Sequence, residues 1–324
     1  MDTDRIDRRT LRSALELASR APSVHNSQPW AWRLGQRSAH LHVDPTRWLR
    51  ATDPTGRDLV VSCGAVLHHL RIALAAVGIG GTVHRFPNTD ADPDHLAAIE
   101  LAYQPTSDAD IRLAAAIGKR RTDRRSYTHW PVPRGFLDRL SAAAEGQGAV
   151  LNTVDEAGRH LVADAIAVAA QLQGGELAYR TETSLWTGRY ASTDGIPAAN
   201  LIQGTGLGGT ALARRFSDGE IQQVGVGPDG GELLVLGTSS DDPLSRLRGG
   251  EALSAVLLEA TDLGLATCPL SQPLEAGSTY RRIRDELLGG VLCPQVLVRV
   301  GWAHHLTPPR TPRRPLAETL GRMP

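Results

Sequence analysis

Apolar positions recur at helical spacing near the start of the chain. Leu11, Leu15 and Ala18 fall on one face and predict an amphipathic helix that runs toward Ala21. Pro22 biases Ala21 out of helical geometry, so the helix has to stop there. From Ala31 to Val43 the pattern shifts toward alternation at Trp32, Leu34, Leu41 and Val43, which predicts strands about a turn at Gly35. A polar connection then leads to a long helix, expected from about Asp58 to Val77 and ended at Gly78. Ile99 to Tyr103 reads as a strand. Beyond the turn-rich stretch 104–110, helices are expected over about 111–119, 136–144, 157–171 and 177–184, with strands over 149–154 and 296–302. The glycine-rich stretch from Thr187 to Gly231 keeps no such period and reads as an insertion that covers a site in the manner of a lid.

A second pattern lies over the first. Gly64 to Gly78 and Gly250 to Gly264 each span fourteen steps. Leu67 aligns with Leu253, Leu70 with Val256, Leu74 with Ala260 and Val77 with Leu263, so both segments carry one apolar stripe at an offset of 186 residues. A strand follows each at some distance. The expectation is an internal duplication, with a first half over residues 1–108 and a second over 109–324 that contains the insertion.

Composition narrows the classes. With 324 residues, 41% of them hydrophobic and 22% charged, the chain can bury a sizeable core. A formal net charge of zero gives no electrostatic reason to expect nucleic acid or an anionic membrane as partner. Lys119 is the single lysine among 35 basic residues, and arginine is the better bidentate partner wherever a phosphate is present. The first residues carry no secretion-signal pattern, and no apolar run reaches the ~18 residues of a membrane span. Cys63, Cys268 and Cys293 form neither a disulfide framework nor a metal-ligand pattern, so a reducing, cytoplasmic setting is expected. His68 and His69 diverge on a helix, His304 and His305 fall in a loop, and no metal is expected; His25 is expected to be exposed, with a place at the edge of a substrate pocket as the alternative.

Two stretches concentrate candidate chemistry. After Pro22, the side chains of Ser23, Asn26 and Gln28 bring donors and acceptors together, as in-plane recognition of a flat heterocycle requires, though ordinary helix-ending turns use the same residues. Arg120-x-Thr122-x-Arg124 sets two guanidinium groups and a hydroxyl on alternate residues, hence on one side of an extended segment, which suits a terminal phosphate; a solvated basic loop is the competing reading. Gly204-x-Gly206-x-x-Gly209 matches the dinucleotide fingerprint, but a poor strand precedes it and no repeating strand–helix unit surrounds it.

The ten residues Ala21-Pro22-Ser23-Val24-His25-Asn26-Ser27-Gln28-Pro29-Trp30, after an alanine-rich helix, resemble the signature of the nitroreductase family of FMN flavoproteins, in the form seen in its actinobacterial Acg-like branch. The resemblance implies an α+β, nitroreductase-like fold of two tandem diverged copies that form an intramolecular pseudo-dimer, with a lid-like insertion at about 187–231 in the second copy. It implies FMN, with Pro22, Ser23, Asn26 and Gln28 at the ring, and Arg120, Thr122, Arg124 and the late Arg313 (before Pro315-Leu316) at the phosphate. Backbone groups of Thr267 and Cys268 would face the flavin edge, and Trp186, Asp194 and Ile196 are candidate walls for the substrate. The implied reaction is NAD(P)H-driven reduction of a small aromatic acceptor, nitroaromatic or quinone-like, by hydride transfer through flavin N5. The cofactor performs that chemistry, so no catalytic side chain is named. An FMN-sequestering protein without turnover is the alternative, and an enzyme that consumes flavin is a third. The resemblance accommodates a monomeric pseudo-dimer or a homodimer.

Overall fold

The structure is a computed structural model that describes residues 6–202, 212, 214, 216, 219–221, 229–304 and 307–321. Helix α1 (Arg8–Ala18) starts at Asp7, whose carboxylate accepts from the N–H groups of Arg9 and Thr10, and it buries Leu11, Ala14, Leu15 and Ala18. Then come β1 (Trp30–Leu34), β2 (Ser38–Val43), α2 (Arg57–Ala75), β3 (Ile79–Arg85) and β4 (His95–Tyr103). Helix α3 (Asp108–Lys119) opens on a reciprocal Ser107–Asp110 capping box and leads into the later part. That part contains α4 (Arg134–Glu145), β5 (Val150–Thr153), α5 (Glu156–Gly175), α6 (Leu177–Trp186), β6 (Thr187–Arg189), β7 (Ile196–Pro197), β8 (Glu232–Thr238) and α7 (Pro243–Asp262). It ends with β9 (Ala266–Leu270), α8 (Gln272–Glu275), α9 (Gly277–Arg282), β10 (Cys293–Gly301), α10 (Leu316–Thr319) and β11 (Leu320–Gly321).

The main strands form two sheets, ordered β11-β1-β2-β4-β3 and β5-β8-β10-β9. Set aside β11, which pairs parallel with β1. The two sheets then have one strand order and one antiparallel pairing scheme, with β1, β2, β3 and β4 matching β5, β8, β9 and β10. Three of these strands, β3, β8 and β9, escaped the sequence pattern. In β3 the pair Gly80-Gly81 dilutes the apolar signal, and β8 is buried along nearly its whole length, so it does not alternate. The connection from β5 to β8 runs over 154–231 and carries α5 and α6 ahead of the stretch 187–231. Gly204, Gly206 and Gly209 lie outside the described residues.

Helices α2 and α7 cross at the centre, where glycine lets the backbones touch. A Cβ on Gly64 would sit 2.0 Å from the Leu247 carbonyl oxygen, and one on Gly250 would sit 2.0 Å from that of Val61. Both contacts join positions related by the same 186-residue shift. Around the crossing Leu67, Leu70, Leu74, Leu253, Val256 and Leu257 are buried, each contributing roughly 1.5–3 kcal/mol of apolar transfer. His68 and His69, expected to diverge, both bring Nδ1 to 2.7 Å from Ser254 Oγ on α7. By length and a mean hydropathy of 1.4, α2 could cross a membrane, contrary to the expectation that no run qualifies; 78% of that stretch is buried in the fold, so it serves as the core helix.

Candidate functional site

After α1 the chain turns through Pro22 into a single tight turn at Val24–Asn26. His25, Asn26 and Gln28 have φ of 48°, 55° and 51°, left-handed backbone that persists on such residues only when the surroundings hold it. The Gln28 N–H donates to Ser23 Oγ (2.9 Å), and Gln28 Nε2 donates to the carbonyls of Asn26 (3.3 Å) and Thr193 (3.0 Å). The Arg314 N–H donates to Gln28 Oε1 at 2.9 Å. Asn26 Nδ2 donates to the carbonyls of Gly195 (2.9 Å) and Pro312 (3.2 Å), which leaves its Oδ1 buried without a partner. Gln28 therefore spends both ends of its amide on holding the loop. Asn26 keeps one acceptor free.

Thr122 bridges to Thr267 on β9. Arg120, Thr122 and Arg124 line a cavity with about 430 Å³ of atom-free space, together with Pro22, Ser23, Asn26 and Arg313, and Arg121 lines it as well, against the expected alternation. Asp123 instead pairs with Arg125. The Arg313 guanidinium donates to the carbonyls of Ser19 (2.9 Å), Arg20 (3.0 Å) and Ala21 (3.2 Å), just past the end of α1. Arg120 reaches only the Arg20 carbonyl, at 3.4 Å, and its Nε and Nη1 are buried without partners. Among the described residues no carboxylate pairs with Arg120 or Arg313. Burial, then the neighbouring cations, pushes Arg120 down to about 10 and Arg313 down to about 9. Both groups stay protonated at neutral pH, so this end of the site is a buried positive centre that lacks an anion.

The space continues past Pro22, Ser23, Thr122, Arg124 and Ile196 into a second cavity, with about 910 Å³ of atom-free space including its mouth. Val61, Leu253, Leu270 and Val296 give it apolar walls. Asp58, Gln272 and Gln295 also line it, and Asp58 Oδ2, Gln272 Oε1 and Gln295 Oε1 are buried without partners. Burial pushes the Asp58 carboxyl up to about 8, although Arg57 opposes the shift from 2.8 Å. His25 corrects the expectation of exposure: it is 6% exposed and lines this wall. Burial, then the charges of Arg214 and Arg124, holds its imidazole well below the usual range, and therefore neutral. Cys268 lines the same cavity, its thiol raised by burial and so unsuited to act as a thiolate.

Not all the expected residues meet here. The Thr267 carbonyl accepts the Asp123 N–H at 2.8 Å and its hydroxyl donates to the Arg121 carbonyl at 3.3 Å, so it docks β9 onto the extended segment. Of the insertion residues Ile196 lines both cavities. Asp194 pairs with Arg47 and Arg189, whose guanidiniums lie 5.1 and 5.7 Å from the Trp186 ring centroid. Trp186 and Asp194 thus form a latch that holds the insertion against the first sheet's side. The site also gains Asp58, Arg214, Phe216, Gln272 and Gln295, which no sequence motif marked.

No family model matches the chain. A Mycobacterium tuberculosis H37Rv protein provisionally named NAD(P)H nitroreductase is 43% identical over 330 residues, covering 99% of this chain and 93% of that one. The chain belongs to the nitroreductase family. A second relative from the same strain, the provisionally named NAD(P)H nitroreductase Acg, is 38% identical over 96% of this chain and 95% of its own. Among solved structures, an FMN- and NADPH-dependent nitroreductase of a Sphingopyxis strain aligns with a TM-score of 0.41 at 18% identity, over 64% of this chain and 97% of that one. A Bacteroides fragilis nitroreductase with bound FMN aligns at 0.39 and 13%, over 61% and 93%.

Proposed function

We propose that the chain binds FMN across the two continuous cavities and acts as an NAD(P)H-driven reductase of nitroaromatic or quinone-like acceptors. One observation carries the reading: Arg120 and Arg313 lie within reach of each other's charge with no carboxylate partner among the described residues, and Arg120 Nε and Nη1 are buried with no acceptor at all. A phosphate supplies the missing anion, and Thr122 and Arg124 complete its cradle. The unpaired oxygens of Asn26, Gln272 and Gln295 suit the polar edge of a flat heterocycle, and Val61 and Leu253 exclude water from its faces. When bound, FMN would relay hydride from a nicotinamide to the acceptor, and the chain's residues would bind and orient it.

The division of the site between the halves supports a further part of the reading. Residues 1–108 supply the ring loop, and residues 109–324 supply the phosphate strand and the late arginine. The shared strand order and the mirrored glycine contacts at the helix crossing favour descent of both halves from one unit. A site assembled within one chain needs no second subunit.

One observation favours storage over turnover. Gly195 in the insertion hydrogen-bonds Asn26, and Ile196, Arg214 and Phe216 wall the cavity, so the insertion covers a face that a nicotinamide would have to approach. Anaerobic mixing of the flavin-loaded protein with NADH or NADPH separates the two readings. Rapid bleaching of the flavin band is expected for the reductase, and a band that stays for minutes supports storage. A protein that takes up no FMN from solution sinks both.

A further inference from the structure

A cluster of histidines stands apart from the cofactor site. His40 and His42 lie two apart on β2 and so share one face of the sheet. On β4, His95 is the register partner of His42, where the pairing shifts at Leu41/His42. Asp92 approaches from the connection between β3 and β4. Asp92 Oδ2 lies 3.2 Å from His42 Nε2, and His40 Nδ1 lies 3.2 Å from His95 Nε2. One ligand atom each from His42, Asp92 and His95 fall within 4.8 Å of one another. None of these residues lines either cavity described above.

We propose that His42, His95, Asp92 and His40 form a binding site for a divalent cation of the zinc class. With His42, Asp92 and His95 already mutually close, His40 beside His95 would complete a four-coordinate set of three imidazole nitrogens and one carboxylate oxygen, the pattern of a structural rather than a catalytic zinc. The outer contacts suit that role. Ser38 Oγ lies 2.8 Å from His40 Nε2, which orients Nδ1 toward the cluster, and a backbone hydrogen bond to Ala97 holds the His95 ring. Burial lowers all three imidazoles, His42 to about 4, so they are neutral at pH 7 and ready to bind without losing a proton. Two adjustments accompany binding. His42 and His95 stack at 4.5 Å and 7°, so their rings must tilt to direct lone pairs at one point. Arg33, with Nη1 3.2 Å from His42 Nε2, must swing away, and its side chain is 38% exposed, which leaves it room. The bound ion would tie the β3–β4 connection to the sheet.

The test uses the full chain, freed of metal by chelator and titrated with Zn²⁺ against a competing chromogenic chelator, with Co²⁺ as a spectroscopic probe. Saturation at one equivalent is expected, with the visible bands of tetrahedral cobalt. His95→Gln and Asp92→Asn are expected to weaken binding by at least about 100-fold, more than the ~10-fold expected for Ser38→Ala at the outer contact. Arg33→Ala removes the competing cation and should tighten binding. Circular dichroism of each variant separates loss of a ligand from loss of fold. The proposal is overturned by non-saturating uptake, or by correctly folded His95→Gln and Asp92→Asn variants that bind as the parent does.

Discussion

Buried arginines fall into two groups in this molecule. Arg299, with 1% of its side chain exposed, pairs with Asp229 at 2.6 Å and donates to the Arg125 carbonyl at 3.0 Å. Arg214 pairs with the buried Glu275. Arg120 is also buried and Arg313 half-buried, yet they meet carbonyls, a hydroxyl and each other's charge, and among the described residues no carboxylate. A buried cation with its counter-charge built in serves the fold, whereas one without it leaves a cost that only a ligand can offset. The same residue type therefore has opposite meanings, and the partner decides which.

That contrast can be broken experimentally. Arg299→Ala leaves Asp229 buried and uncompensated, and it should destabilise the protein by about 3–5 kcal/mol in denaturant unfolding. Arg120→Ala should do the reverse: unfolding of the FMN-free protein changes little, while for Arg120→Ala, as for Arg313→Ala, FMN affinity in fluorescence titration falls by about 10- to 100-fold for each lost charged hydrogen bond. If Arg120→Ala destabilises the free protein as much as Arg299→Ala does, the distinction fails. Asp58 gives a smaller, pH-dependent effect. Its carboxyl is pushed up to about 8, against ~3.9 in the unfolded chain. A raised acid favours the native state below the unfolded value, and that contribution is lost progressively as pH rises toward 8. Asp58→Asn removes this loss, so calorimetry of the free protein should show a flatter profile from about pH 4 to 8, with Tm at pH 8 higher by on the order of a few degrees.

Much of this was legible in the sequence because the features concerned are local. The alternation Arg120-x-Thr122-x-Arg124 was readable as spacing, and those three residues line one cavity, although Arg121 lines it too. The 186-residue offset of the two glycine helices was visible as spacing, and it reappears as mirrored contacts at the crossing. What sequence could not supply is tertiary. Asp58 reads as an ordinary first-turn carboxylate of a helix, and only the packing of α2 beside the ring loop makes it a cavity wall. Gln28 reads as a ligand-facing amide, but Thr193 and Arg314 claim it from across the chain. The His40-x-His42 spacing on a strand was readable too. Its partner His95 on β4 is set by sheet register, which no local spacing encodes.

The tail that bears Arg313 runs back over the start of the chain, where Arg313 grips a carbonyl 292 positions earlier and β11 adds itself to the edge of β1. On the proposed reading, the earliest and the latest parts of the chain must both be in place before the site is whole. A chain truncated before Arg313 is therefore expected to hold FMN more weakly than the full chain in fluorescence titration.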